Sequence, residues 1–181
     1  MPVKNPKRLV VDSDIVHAAS DRPGARRPAP RCRDFLEEIR ALGHAVVITR
    51  AIQSEWRTHL RSYARDWFDL MERRRLIVRT LVREDEDLRA ALSTMAANDG
   101  ERAAMLKDCH LLEAALATDR IIASLERVAR GRFRRAAPLV REIREIVWVD
   151  PEREEEAAII WLRRGAPAEK HRMLGYRGEE R

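Results

Sequence analysis

Leu9-Val10-Val11-Asp12-Ser13-Asp14 sets three apolar residues against an acid, a hydroxyl and a second acid. An unbroken apolar run of this length suits a strand buried on both faces, as in a parallel sheet. Ala45-Val46-Val47-Ile48 repeats the pattern and ends in Thr49, and Ile121-Ile122-Ala123 and Ile146-Val147-Trp148-Val149 repeat it further on. Between the first two runs, Phe35, Leu36, Ile39 and Leu42 recur at helical spacing and stop at Gly43, which makes a βαβ unit. Alternation continued along the chain predicts an α/β fold, a three-layer sandwich with a central parallel sheet flanked by helices.

Outward from that frame, residues 21–30 are rich in Pro and Arg and read as a loop. Trp56, Leu60, Trp67, Leu70, Met71, Ile77, Val78 and Leu81 follow a long helical period and are expected as the buried positions of stacked helices. The acids of 84–87 start a further helix, Asn98-Asp99-Gly100 marks a turn, and a helix covers 107–116. Leu139, Val140 and Ile143 are expected on a helix before the last strand. Asp150-Pro151, with Glu152, Glu154, Glu155 and Glu156 behind it, opens a C-terminal helix carrying Ala157, Ile160 and Trp161 and closed by Gly165. The polar tail from Ala166 is expected to be mobile. The expected organisation is one domain over 1–150 with a helical insertion around 56–104, and a C-terminal helix and tail over 151–181.

A chain of 181 residues buries a real core without disulfides. Its 36 Lys+Arg against 30 Asp+Glu leave +6, a modest excess that favours a polyanionic partner. The only lysines are Lys4, Lys7, Lys107 and Lys170; arginine offers phosphate a bidentate fork, although a GC-rich genome yields the same bias. Cys32 and Cys109 stand alone without CxxC spacing, which points away from a disulfide framework or zinc site and toward a reducing compartment. No apolar run approaches the roughly 18 residues of a membrane span, and residues 1–8 lead into a strand rather than a signal-peptide apolar region. A cytoplasmic protein without a membrane partner is expected.

Functional groups in open parallel sheets collect beyond the carboxyl ends of strands. Asp12 stands there, although a single Asp at such a place is more commonly a solvated loop residue or a helix cap. Glu55 lies in the first turns after the second strand, Asp108 opens Asp108-Cys109-His110-Leu111-Leu112-Glu113 on a helix, and Glu126 follows the third strand after Ser124-Leu125. Four acids can then share one pocket. Crowded like charges need neutralising cations, and hard oxygen donors select Mg²⁺ or Mn²⁺, the setting for an in-line phosphodiester displacement without a protein nucleophile.

Taken in order, Val10-Val11-Asp12-Ser13-Asp14, Glu55, Asp108 with Leu111 and Ala114, and Ile121-Ile122-Ala123-Ser124-Leu125-Glu126 resemble the PIN-domain family. The likeness covers roughly residues 8–150. It implies a metal-dependent ribonuclease with Asp12, Glu55, Asp108 and Glu126 as catalytic, metal-binding acids and Ser13 and Ser124 as hydroxyl partners. It also implies RNA, single-stranded or structured, as substrate. Many small members of that family are toxins of toxin–antitoxin pairs, which would supply an antitoxin partner and a homodimer. Three features depart from the pattern: Glu126 stands where Asp is commoner, Asp14 stands where Asn is common and becomes a candidate fifth ligand, and the stretch between Glu55 and Asp108 is long and charged.

Other residues carry weaker signals. His59 lies four residues after Glu55 but lacks further nitrogen or sulfur ligands; His17 and His110 read as packing or surface residues, and Asp119 as a turn residue before a strand. Arg57, Arg61 and Arg65 recur every four residues, and Arg127, Arg130, Arg132, Arg134 and Arg135 cluster after the third strand. Arg57, Arg61, Arg127 and Arg130 are candidates for RNA backbone contacts, with a solvated, ion-paired helix face as the alternative. Trp56 and Trp67 suit base stacking but are commoner as core at this spacing. Two rival functions stand beside the nuclease. One is a haloacid-dehalogenase-like phosphohydrolase, from the loose DxDxV of Asp12 to Val16 and from Thr49. The other is a metal-free PIN-like scaffold binding RNA or protein.

Overall fold

A computed structural model describes residues 3–20, 30–59 and 62–178. Five parallel strands form one sheet: β1 (Arg8–Val11), β2 (Ala45–Ile48), β3 (Ile77–Arg79), β4 (Ile121–Ala123) and β5 (Val147–Val149), in the spatial order β3-β2-β1-β4-β5. Eight α-helices flank the sheet among the described residues, so the three-layer parallel α/β architecture expected from the apolar runs is the one observed. They are α1 (Ser13–Ala19), α2 (Pro30–Leu42), α3 (Arg50–His59), α4 (Ser62–Arg73), α5 (Glu86–Met95), α6 (Asp99–Leu116), α7 (Arg127–Ala136) and α8 (Ala158–Arg163). Each of the four expected strands is present, and Leu9, Val10, Val46, Ile122 and Trp148 are wholly buried, as strands covered on both faces must be.

The strand order reverses at β1, whose neighbours β2 and β4 are reached by connections running in opposite directions along the sheet. Such a switch point leaves a crevice at the carboxyl edge. Register decides what stands beside it. Val11 pairs with Ala123, so Asp12 and Ser124, the next residue of each strand, emerge side by side. Asp12 N–H donates to Ala123 O at 2.9 Å, and Ser124 N–H to Val149 O at 3.0 Å.

The region around 56–104 departs from the all-helical expectation. Ile77 and Val78 form the edge strand β3, half-buried beside β2, and Leu81 is fully exposed in the segment behind it. Trp56, Trp67 and Met71 are buried as expected. Trp56 packs edge-on to Phe68, at 5.8 Å between centroids, and its indole N–H donates to Val11 O at 3.1 Å. Both tryptophans are core residues rather than stacking platforms, and the Trp56 bond fixes α3 beneath the end of β1. The turn expected at Asn98-Asp99-Gly100 is a bend that ends at Asn98, since Asp99 and Gly100 already open α6; Asn98 caps that helix, accepting from Glu101 N–H at 2.8 Å, the bond expected of an N-cap amide. Asp85 caps α5 the same way, through Leu88 N–H at 3.0 Å.

Pro138 follows the end of α7, and only a 3-10 turn over Arg141–Ile143 precedes β5. Leu139, expected on a helix, is 72% exposed. The C-terminal helix starts later than the acidic run implies, because Glu154–Glu156 form a 3-10 turn and Ala157 adopts φ 42° before α8. The tail expected to hang free is packed on the domain at Ala166, Arg172 and Leu174, while residues 176–178 are exposed. Leu174 is buried, and its N–H and that of Gly175 donate to Ile146 O and Arg144 O, each at 2.9 Å. A Cβ on Gly175 would stand 2.9 Å from Arg144 Cβ, so this return is tight enough to require glycine.

Candidate functional site

Asp12 occupies the N-cap position of α1, yet its side chain makes no capping hydrogen bond. The carboxylate turns instead toward β4, where Ser124 Oγ donates to Asp12 Oδ2 at 2.8 Å. Asp14, in the first turn of α1, reaches the same place: its Oδ2 accepts from Leu125 N–H at 2.7 Å and lies 3.2 Å from Ser124 Oγ. Ser124 also accepts from Glu126 N–H at 3.0 Å. One hydroxyl, with a single proton to give, therefore ties together the ends of β1 and β4.

Helix α6 supplies the opposite wall. Ala104, Lys107, Asp108 and Leu111 fall at i, i+3, i+4 and i+7, one helical face, and all four line the crevice. From α3, Glu55 closes it, held by His110 Nε2 at 3.2 Å. His110 Nδ1 lies 2.9 Å from Lys107 O. A carbonyl can only accept, so Nδ1 carries a proton, and Nε2 meets Glu55 through a second shared proton. The resulting pocket of about 250 Å³ is lined by Asp12, Ser13, Asp14, Glu55, Asp108 and Glu126, with Lys107, His110 and Arg132 as the basic groups.

Electrostatics follow from this crowding. Burial, above all, and then the charge of Asp12 push the Asp14 carboxyl up to about 8. Burial likewise raises Asp12, opposed by the Ser124 hydrogen bond and reinforced by Glu55. Asp108 is raised by burial and by the charges of Asp12 and Glu126, against Lys107. For His110, burial is the largest influence and favours the neutral ring, but the Glu55 hydrogen bond and charge outweigh it and raise the imidazole above its ordinary value. Acids held above their usual range while facing one another are sites where a cation lowers the free energy of the charged form.

All four acids read from the sequence thus border one pocket, with Asp14 as a fifth. They surround the cavity rather than meeting at a point: among the described residues, no three His, Cys, Asp or Glu side chains are set closely enough to hold one ion as they stand. The donor set nevertheless fits a hard divalent cation. Every acid offers oxygen, and Asp14 Oδ1 is buried without a hydrogen-bond partner, a costly state for an acceptor.

The arginine candidates divide. Arg57 is exposed on α3, and Arg127 is 64% exposed while its Nε holds the buried Asp150 at 2.9 Å. Arg130 requires correction, since it is buried and paired with Glu156 because α7 turns this residue inward against the C-terminal segment. Arg61, Leu60 and the His59 side chain lie outside the described residues, as does 21–29 of the expected loop. Asp119 binds Arg8 at the opposite edge of the sheet, with Oδ1–Nη2 2.6 Å and Oδ2–N 2.8 Å, and takes no part in the pocket. Sequence reading took His110 for a packing or surface residue and gave Lys107 no place in the acidic site, yet both line the pocket. The 104–107–108–111 spacing could have placed Lys107; nothing in the sequence signals the Glu55–His110 contact, which joins residues 55 positions apart.

Among the described residues no helix is long and apolar enough to cross a membrane. Compared with known proteins, the chain matches no family model, no curated protein and no solved structure.

Proposed function

We propose that this protein is a divalent-metal-dependent ribonuclease of the PIN type, hydrolysing RNA phosphodiester bonds in the acidic pocket at the switch point of the sheet. The observation that carries it is the ring of Asp12, Asp14, Glu55, Asp108 and Glu126 around one cavity of about 250 Å³. Mg²⁺ or Mn²⁺ held by Asp12, Glu55, Asp108 and Glu126, with Asp14 as a fifth ligand, would neutralise the acids and supply Lewis-acid activation of water and of the phosphoryl oxygens.

The chain's own groups have separate tasks. Ser124 holds Asp12 by donating its hydroxyl proton, and Leu125 N–H holds Asp14, both at the border of the pocket. His110 fixes the Glu55 carboxylate. Lys107 and Arg132 give the pocket positive charge with which to meet the non-bridging oxygens of a phosphodiester, where a positioned cation stabilises the charge developed in the transition state. Arg57 and Arg127 lie exposed on α3 and α7, where a polyanionic backbone could meet them.

Lys107 in the same pocket as Asp12 and Asp14 also favours a second reading, a phosphomonoester hydrolase with Asp12 as nucleophile. Against it, the Thr49 hydroxyl, which that chemistry would direct at phosphate, accepts from Ile52 N–H at 3.2 Å as the cap of α3. One set of assays separates the readings. Purified protein is melted with and without millimolar Mn²⁺, then given labelled single-stranded RNA and a small phosphomonoester. Stabilisation by Mn²⁺ with cleavage of RNA alone supports the nuclease; cleavage of the monoester alone identifies a phosphatase; neither stabilisation nor cleavage leaves a metal-free scaffold.

A further inference from the structure

A second cavity, of about 360 Å³, opens beyond the carboxyl ends of β2 and β3 and adjoins the acidic pocket at His110, which lines both. Its walls are chemically unlike those of its neighbour. Ala51 and Val82 present apolar surface, Ser54 and Glu84 stand at an exposed rim, and Arg89 forms a rigid plate. The Arg89 guanidinium is held in its plane by a bidentate pair with Glu113, Nε–Oε1 2.7 Å and Nη2–Oε2 2.9 Å, whereas Glu84 touches it only at 3.7 Å and keeps acceptor capacity.

A phosphate would not leave water for alanyl and valyl methyl groups. A flat heterocycle would, because its faces suit apolar surface and an immobilised guanidinium, while its edge donors suit a hydroxyl and a carboxylate. We propose that this cavity is a nucleobase subsite, which receives one unstacked base of the RNA strand whose phosphodiester lies in the acidic pocket. It rests on the ribonuclease reading for the identity of the strand, and it makes single-stranded RNA the substrate class, since a base held in a duplex stack cannot enter. Exposed Arg50 at the rim meets the phosphate joined to that base.

The test fills the cavity from two elements, Ala51→Trp on α3 and Val82→Trp from the segment after β3, so that a folding failure of one variant leaves the other. Binding of a fluorescent single-stranded RNA octamer is measured by anisotropy in EDTA, which removes catalysis from the readout, beside the Mn²⁺-induced shift in melting temperature. The subsite requires each folded variant to bind the octamer about tenfold more weakly than wild type with its Mn²⁺ shift retained. Wild-type affinity in both variants, or no octamer binding by the wild type, overturns it. The two proposals fail separately: weakened binding in the variants without Mn²⁺-dependent cleavage by the wild type removes the nuclease and keeps the subsite, and wild-type cleavage with no effect of filling does the reverse.

Discussion

Ser124 Oγ stands 2.8 Å from Asp12 Oδ2 and donates its only proton there, joining the two strands between which the order of the sheet reverses. Without that hydroxyl, two buried acids face each other with one donor fewer.

Ser124→Ala is therefore expected to destabilise the metal-free protein by about 2 kcal/mol, the range for a lost hydrogen bond to a charged group, or roughly 4–8 °C in melting temperature for a chain of this size. Millimolar Mn²⁺ should narrow the gap by binding the folded state. An unchanged melting temperature would show that the bond contributes nothing.

His44 gives a pH dependence whose sign is set by burial. Its Nδ1 accepts from Lys7 N–H at 2.9 Å, which leaves the proton on Nε2, 3.2 Å from Leu162 O. Burial, the largest influence, and the nearby Lys7 charge hold the ring below its ordinary value, against the Leu162 hydrogen bond. The unfolded chain then takes up a proton that the folded one refuses. This contribution is full above about pH 6.5 and is lost as the pH falls, by up to roughly 1.4 kcal/mol per unit. Between pH 7.5 and 5.5, wild type should lose more stability in urea than His44→Gln, which keeps an acceptor and a donor. Equal losses would remove His44 as the cause.

Lys107 supplies a cation to the pocket without burying it. Lys107→Ala should weaken single-stranded RNA binding in EDTA and lower the slope of log K against log salt by about 0.7, one counterion's worth for a single strand. A slope identical to wild type would place the phosphate elsewhere.

Legibility in the sequence tracked how local each signal is. Four strands could be read because runs such as Val46-Val47-Ile48 are buried on both faces and need no partner to declare themselves. β3 could not: Ile77 and Val78 are half-buried at the sheet edge, with only Leu76 between them and Arg73, Arg74 and Arg75, and so short an apolar run satisfies a helical period as well as a strand. Asp12, Glu55 and Glu126 were legible by their places beyond strand ends, and Asp108, in the middle of α6, only through the order of acids along the chain. Arg130 was misread because its partner Glu156 is 26 positions away, and the tail because single apolar residues, Ala166 and Leu174, anchor it. Ion pairs and docked tails of that kind belong to tertiary structure, and no periodicity announces them.

The most direct measurement is cleavage of labelled single-stranded RNA by wild type and Asp108→Asn, each in Mn²⁺ and in EDTA, beside melting curves. Asp108 is raised first by burial and then by Asp12 and Glu126, with Lys107 opposing. Replacing it with Asn keeps the shape, deletes a repelled charge and should leave stability level or slightly higher. The account predicts Mn²⁺-dependent cleavage by wild type, abolished in EDTA, and a loss of at least about 10²-fold in the variant, the scale of a removed electrostatic contact to the transition state. Cleavage by a folded Asp108→Asn at the wild-type rate, or wild-type cleavage undiminished in EDTA, would contradict it.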